Sequence, residues 1–288
     1  MVLIWGRGLL VVNSRRVDEL AEMVRAIGLE KIVVFEDIDP QFEAIKNLSR
    51  VCGSTAYLLA VLNSVISYRL SQPGEVYWSL FSDYAKSRCR SIDGLEKAVG
   101  LVKEFARMYN RVSVDQKLRR LEKIAKCSQL EQAVLSTDLE AVRREIALCL
   151  DVEPDSKTVV FSAKMVYYVH KALSKKVSIP MTIPIPVDTR VAAITYLSGA
   201  IDVVGEAISE GYPLLKYSKA IRGVWMEIGR KSSTPPLNID ALIWYFGKYH
   251  NAKSIDHIYS SEYNKLRQFL TPDEIMLIIR NLFYRLVR

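Results

Sequence analysis

The sequence predicts an all-α protein with two lobes, on three observations. Its 288 residues are 50% hydrophobic and 25% charged, which is the composition of a folded globular protein. Apolar residues recur at helical spacing along most of the chain, whereas the alternation typical of strands is sparse. At about 150 residues per domain, this length predicts either two domains or one large two-lobed unit.

Glycine, proline and small polar residues delimit the predicted helices. Gly28 ends the first apolar stripe, Asp39-Pro40 opens the second helix, and the turn 71–74 (SQPG) precedes another. Asp93 is expected to cap a helix that runs to Met108. Further helices are predicted over residues 17–27, 39–50, 56–68, 75–88, 114–127, 138–150 and 156–171, after Asp188, around 240–244, and from Pro272 to the C-terminus. Strands are predicted only over 3–12 and 31–35.

Composition and termini restrict the class of protein. The net charge of +8 favours a polyanionic partner. The four cysteines form no CxxC motif and only three histidines occur, so we expect reduced thiols, no metal and no cofactor. No signal peptide is visible and the most apolar run, 56–66, is too short to span a bilayer. We therefore expect a cytoplasmic protein that does not associate with a membrane.

Lys164 is the most informative residue. It is the only charged side chain between Thr158 and Val169, and its neighbours three and four positions away are apolar or aromatic. Burial disfavours the ammonium form and lowers a lysine's pKa from about 10.4. A neutral amine attacks electrophilic carbon and forms a Schiff base. The same pattern also fits a lysine whose stem packs on the aromatics while its ammonium reaches solvent.

Asp188 lies where the proline-rich segment PIPVDTRV gives way to a helix. A carboxylate at a helix N-cap accepts backbone N–H bonds and faces the positive end of the helix dipole, so it stays ionised. Such a fixed negative charge would stabilise a developing cation. An ordinary structural cap would have the same sequence.

Aromatic and basic residues are compatible with nucleic-acid binding. Trp78, Tyr168 and Trp244 each lie in a predicted helix. Aromatic residues in such positions fit either core packing or a clamp around a flipped base. Residues 111–127 and 216–231 each carry a net charge of +4. Such runs contact phosphates in nucleic-acid-binding proteins, but they also occur as solvated helix faces.

Four separated blocks resemble the archaeal 8-oxoguanine DNA glycosylase/AP lyase family (AGOG) of the helix-hairpin-helix DNA glycosylase superfamily. In chain order they are SYRLSQPGEVYW, KTVVFSAKMVYY, IPIPVDTRVA and TPPLNIDALIW. The resemblance covers about residues 40–250. The glycine-rich hairpin of the superfamily is replaced by CLDVEPDSKT, which agrees with the longer, glycine-poor hairpin expected within AGOG.

This resemblance implies a two-lobed, all-α architecture with the active-site cleft between the lobes. Residues 1–288 would form a single two-lobed catalytic unit, with the helix-hairpin-helix region at about 138–172 and the lobe boundaries left open. Lys164 would be the Schiff-base nucleophile and Asp188 the essential carboxylate. The residues implied to contact the bound base are Gln41, Ser67, Trp78, Tyr168, Pro186, Asp240 and Trp244.

The implied function is a bifunctional DNA repair enzyme. It would excise 8-oxoguanine through a lysine Schiff base and cleave the strand 3′ to the abasic site by β-elimination. We expect a monomer that acts on double-stranded DNA in the cytoplasm, at the nucleoid, with single-stranded DNA left open. Two alternatives remain: the same chemistry on another damaged base, and a non-catalytic helical nucleic-acid-binding module. A Schiff-base aldolase is disfavoured because the predicted strands are too few.

Overall fold

Helices dominate the computed structural model, which describes residues 2–5, 8–204 and 212–287. In chain order the elements are β1 (Val2–Trp5), β2 (Gly8–Val12), α1 (Ser14–Ile27), α2 (Leu29–Asp37), α3 (Pro40–Cys52), α4 (Thr55–Val65), α5 (Gly74–Lys86), α6 (Leu95–Tyr109), α7 (Val114–Ile124), α8 (Leu130–Leu135), α9 (Leu139–Leu150), α10 (Lys157–Ala172), α11 (Thr189–Leu197), β3 (Ile201–Val204), α12 (Ser218–Ser232), α13 (Pro236–Gly247), α14 (Ile255–Leu266) and α15 (Pro272–Leu282). The chain divides into two compact units. We call Asp37–Pro180 the central unit, and Met1–Glu36 with Met181–Arg288 the terminal unit.

The central unit is built around α10. Every residue of this helix from Thr158 to His170 is buried, and the helix packs against α3, α4 and α9. A helix that is apolar on all sides lies in the core rather than at the surface. A lysine in the middle of α10 is therefore placed in the interior of the unit.

The connection between α9 and α10 turns without glycine. Asp151 adopts a left-handed conformation with φ of 54°. Its N–H donates to the Leu148 carbonyl at 3.1 Å, and the Val152 N–H donates to the Ala147 carbonyl at 3.1 Å. This is the hydrogen-bond pattern that usually ends in glycine. Aspartate tolerates the conformation because its short polar side chain bonds locally.

The terminal unit combines a small sheet with helices. Its antiparallel strands have the order β1-β2-β3, with Val2 opposite Val11 and Val12 opposite Ile201. Helix α1 packs against α12 and α15, and α11 packs against α13. The buried Arg16 links α1 to the C-terminal end of α11, since its guanidinium donates to the Ser198 carbonyl at 2.8 Å.

The structure corrects three local predictions. Residues 31–35 are helical, not a strand: they lie in α2, where Ile32 and Phe35 are buried three positions apart, and so short an apolar run does not distinguish the two forms. The predicted strand 3–12 is two strands, with residues 6 and 7 outside the described part. Asp93 does not cap α6; its carboxylate accepts a bond from Lys97 at 2.6 Å.

The mostly helical fold is confirmed, with the three-stranded sheet as an addition. Among residues 2–5, 8–204 and 212–287, no helix is long and apolar enough to cross a membrane.

The expectation of four reduced thiols is wrong. Disulfides join Cys52 to Cys89 and Cys127 to Cys149, with Cα atoms 5.6 and 5.7 Å apart. Their separations of 37 and 22 residues form no motif that would have indicated the pairing. Intracellular proteins of some thermophiles are an exception to the rule that cytosolic thiols stay reduced.

Candidate active site

Lys164 lies within the core of the central unit. Its side chain is only 3% exposed, so the prediction of a buried amine is confirmed and the surface-reaching alternative is wrong. The Nζ atom lies 3.9 Å from Oδ2 of Asp39 and 5.3 Å from the centroid of the Tyr168 ring. The amine thus lies close to the Asp39 carboxylate and to the face of the Tyr168 ring.

Asp39 is the residue that the sequence analysis missed. It caps α3, where its Oδ1 accepts the Gln41 N–H at 2.8 Å, and its Oδ2 accepts the Tyr168 hydroxyl at 2.9 Å. Burial raises the pKa of Asp39; Lys164 and the two hydrogen bonds oppose that rise, and the charge of Glu75 adds to it. A buried lysine requires a polar partner, but the sequence does not indicate which acid supplies it.

Two further predicted base-contacting residues, Gln41 and Ser67, belong to the central unit. The Gln41 side-chain amide lies at the start of α5, where a Cβ on Gly74 would come within 3.3 Å of its Nε2. Ser67 is buried, and its hydroxyl donates to the Asn63 carbonyl at 2.7 Å. Glycine at position 74 therefore leaves room for the Gln41 amide.

Trp78 packs directly on the lysine-bearing helix. Its ring meets Phe161 of α10 edge-to-face at a centroid distance of 6.0 Å, and Phe81 at the same distance. Trp78 is 1% exposed and Tyr168 is fully buried. The central unit thus carries Gln41, Ser67, Trp78, Lys164 and Tyr168 of the predicted site.

The other predicted residues, Pro186, Asp188, Asp240 and Trp244, belong to the terminal unit. Pro186 is buried in the extended segment before α11. Asp188 is half-buried and caps α11, because its Oδ1 accepts the Val191 N–H at 2.9 Å. The predicted cap is therefore present.

Helix α13 carries the remaining two side chains. Asp240 is buried, and Trp244, one turn later, is half-buried. The Arg190 guanidinium stacks on the Trp244 ring at 4.4 Å from its centroid. A Cβ on Gly247 would lie 2.6 Å from the Arg190 Cβ, so glycine at that position lets α11 approach α13. Arg190, which packs on Trp244, was not predicted from the sequence.

Comparisons with known proteins decide the family. A family model described as AGOG, N-glycosylase/DNA lyase, matches residues 21–272. The chain belongs to the AGOG family. The N-glycosylase/DNA lyase of Methanopyrus kandleri is 32% identical over 77% of this chain and 86% of that protein. The N-glycosylase/DNA lyase of Pyrobaculum aerophilum is 30% identical over 81% of this chain and 86% of that protein.

A solved AGOG structure supports the fold assignment. It is an 8-oxoguanine DNA glycosylase from Pyrobaculum aerophilum in complex with 8-oxoguanosine. The match has a TM-score of 0.73 and 26% identity, and it covers 93% of this chain and 97% of that one. The predicted family, helical DNA glycosylase fold and enzyme class are confirmed, and the substrate of an AGOG enzyme is DNA.

The two basic segments of this AGOG enzyme differ. On α7, Lys117 is buried against Asn110, and burial lowers its pKa to about 8. Four other cations of the segment are exposed: Arg111, Arg119, Lys123 and Lys126. In the second segment, Arg230 pairs with Glu227 and Lys231 with Asp18. The α7 segment therefore presents more cations for phosphate contacts.

Proposed function

We propose that this AGOG enzyme excises 8-oxoguanine from DNA with Lys164 as the nucleophile and then cleaves the strand by β-elimination. The observation that carries the proposal is the amine of Lys164, buried in the core of a DNA lyase. A desolvated site favours the neutral amine that Schiff-base chemistry requires. The related enzyme crystallised with 8-oxoguanosine supports the choice of base.

The chemistry at the sugar assigns a role to each candidate. As the glycosidic bond breaks, its electrons leave with the purine, and the Lys164 lone pair forms a bond to C1′. The negative charge of Asp188 would stabilise the positive charge that develops on the sugar. The nitrogen passes one proton to the departing purine, and the C1′–O4′ bond then breaks as O4′ takes a proton from water, which leaves a protonated imine. The imine acidifies the neighbouring C2′–H bond. The C2′ proton passes to water, its electron pair forms the C2′–C3′ double bond, and the 3′ phosphate leaves with the electrons of the C3′–O bond. These steps use neither a metal nor a cofactor. That the enzyme requires none stays a prediction.

Recognition of the base would use the remaining predicted residues. The enzyme would take the purine out of the helix, at a cost of a few kcal/mol, and hold it between Trp78 and Tyr168. Asp240 and Trp244 would supply polar contacts to the purine edge. Gln41 and Ser67 would lie near the bound base, and Pro186 would shape the pocket. Since 8-oxoguanine carries a proton on N7 and guanine does not, a buried acceptor for that proton would reject guanine.

We further propose that the enzyme acts as a monomer on double-stranded DNA at the nucleoid. The exposed cations of the α7 segment support phosphate contacts, because each such contact releases counterions from the duplex.

Borohydride trapping on a duplex with one 8-oxoguanine tests the assignment. We expect a covalent adduct with the natural chain and none with Lys164→Gln, which should still bind the duplex. Lys117→Gln is the matched control, because Lys117 is a second fully buried lysine of the central unit; its variant should still be trapped. An adduct with Lys164→Gln would overturn the role of Lys164.

The same assay separates the alternatives. Duplexes with thymine glycol or uracil should give much less adduct than the duplex with 8-oxoguanine. Binding by the natural chain with no adduct on any duplex would instead identify a non-catalytic module.

A further inference from the structure

We propose that Asp39 is the residue that accepts the ammonium proton of Lys164 and so makes its amine nucleophilic inside the core. This inference rests on the proposed function of Lys164. The buried carboxylate of Asp39, which caps α3, would then have a role distinct from that of Asp188.

The geometry places Asp39 directly at the reacting atom. Its Oδ2 lies 3.9 Å from the Lys164 Nζ, so a small adjustment of the flexible lysine chain brings the two atoms into hydrogen-bond contact. Both oxygens are held, by the Gln41 N–H at 2.8 Å and the Tyr168 hydroxyl at 2.9 Å. Asp39 is 3% exposed and Lys164 is 2% exposed. A proton that leaves the amine thus has an acceptor without crossing to solvent.

The balance of interactions at Asp39 allows both protonation states. The groups that face it are Lys164 and Tyr168 from α10 and Glu75 from α5. Burial and Glu75 raise its pKa and favour the acid, whereas Lys164 and the two hydrogen bonds favour the carboxylate. Two strongly coupled groups titrate as a pair. The pair then holds one proton, which sits either on the amine or on the carboxyl group.

The proton is conserved through Schiff-base formation at an abasic site. Transfer from Nζ to Oδ2 converts ammonium and carboxylate into amine and carboxylic acid, with no change in net charge. The amine adds to the C1′ aldehyde, and the carbonyl oxygen leaves as water with one proton from nitrogen and the proton that Asp39 held. The product is a protonated imine beside the Asp39 carboxylate, and both atoms and charge balance.

The pH dependence of trapping tests this inference. A duplex with a preformed abasic site isolates the step, and cyanoborohydride traps the imine under single turnover. Because the internal transfer exchanges no proton with solvent, the natural chain should give a nearly constant rate between about pH 6 and about pH 8. In Asp39→Asn the amine must lose its proton to solvent. Its rate should be about tenfold or more lower at about pH 6 and rise about tenfold per pH unit.

Controls keep the test specific. Asparagine caps helices as well as aspartate does, so Asp39→Asn should fold. Asp37→Asn alters another carboxylate, paired with Lys171 at 2.8 Å, and should keep the flat profile.

Each outcome has a distinct meaning. A flat profile in Asp39→Asn, at or above the natural rate, would overturn the role of Asp39. If Lys164→Gln is inert in the same assay, that result leaves the proposed function intact. Trapping by Lys164→Gln would instead overturn the proposed function itself.

Discussion

Asp39 and Asp188 occupy the same local structure in different surroundings. Each caps a helix and accepts a backbone N–H from the first turn, at 2.8 Å in α3 and 2.9 Å in α11. Asp39 is buried beside a lysine and a tyrosine, whereas Asp188 is half-buried. Burial favours the protonated form of a carboxylic acid and raises the pKa of Asp39. Surroundings, not the capping motif, therefore make Asp39 fit to hold a proton.

Among the variants that test this comparison, Asp188→Asn gives the largest expected effect, because it removes the charge of the α11 cap. Asparagine keeps the hydrogen bond to the Val191 N–H but removes the negative charge. Base release should fall by about 10³-fold, measured as single-turnover excision of 8-oxoguanine. Circular dichroism should show an unchanged helical content. Equal excision by variant and natural chain would mean that Asp188 serves only as a cap.

The two helix caps could be predicted from the sequence, whereas the contacts of the side chains around them could not. Both caps are visible as Asp-Pro and Pro-Val-Asp before apolar periodicity, since capping is local chemistry. The apolar and aromatic neighbours of Lys164 indicated that its stem is buried, but they fitted a solvent-reaching ammonium equally well. The contact of Asp39 with Lys164 joins residues 125 positions apart in the sequence, and such a contact depends on packing. The stacking of Arg190 on Trp244 has the same origin, and no local pattern indicates it.

The two units also differ in covalent cross-links. All four cysteines belong to the central unit, and they form its two disulfides. Closing a loop of 37 residues restricts the unfolded chain. The paired substitution Cys52→Ser with Cys89→Ser should therefore lower the free energy of unfolding by about 3–4 kcal/mol, measured by denaturant titration.

Hydrogen exchange would show where this stability is lost. Exchange of amides in α4 and α10 should accelerate in the Cys52→Ser, Cys89→Ser variant more than exchange of amides in α12 and α13. Equal acceleration in both units would mean that the disulfide does not act through the central unit alone.

Gly247→Ala gives the smallest expected effect and tests the support of Trp244 in the terminal unit. The added methyl group would lie 2.6 Å from the Arg190 Cβ and 3.2 Å from its Cγ and Cδ. Since these atoms must move, the stack on Trp244 should be disturbed and the free energy of unfolding should fall by about 1–3 kcal/mol. Gly223→Ala is the matched control on α12, where a Cβ meets nothing within 4 Å. In that open helical position alanine should stabilise by up to about 1 kcal/mol. Equal stability of the two variants would show that α11 and α13 tolerate the methyl group, and Arg190 would then not hold Trp244 in place.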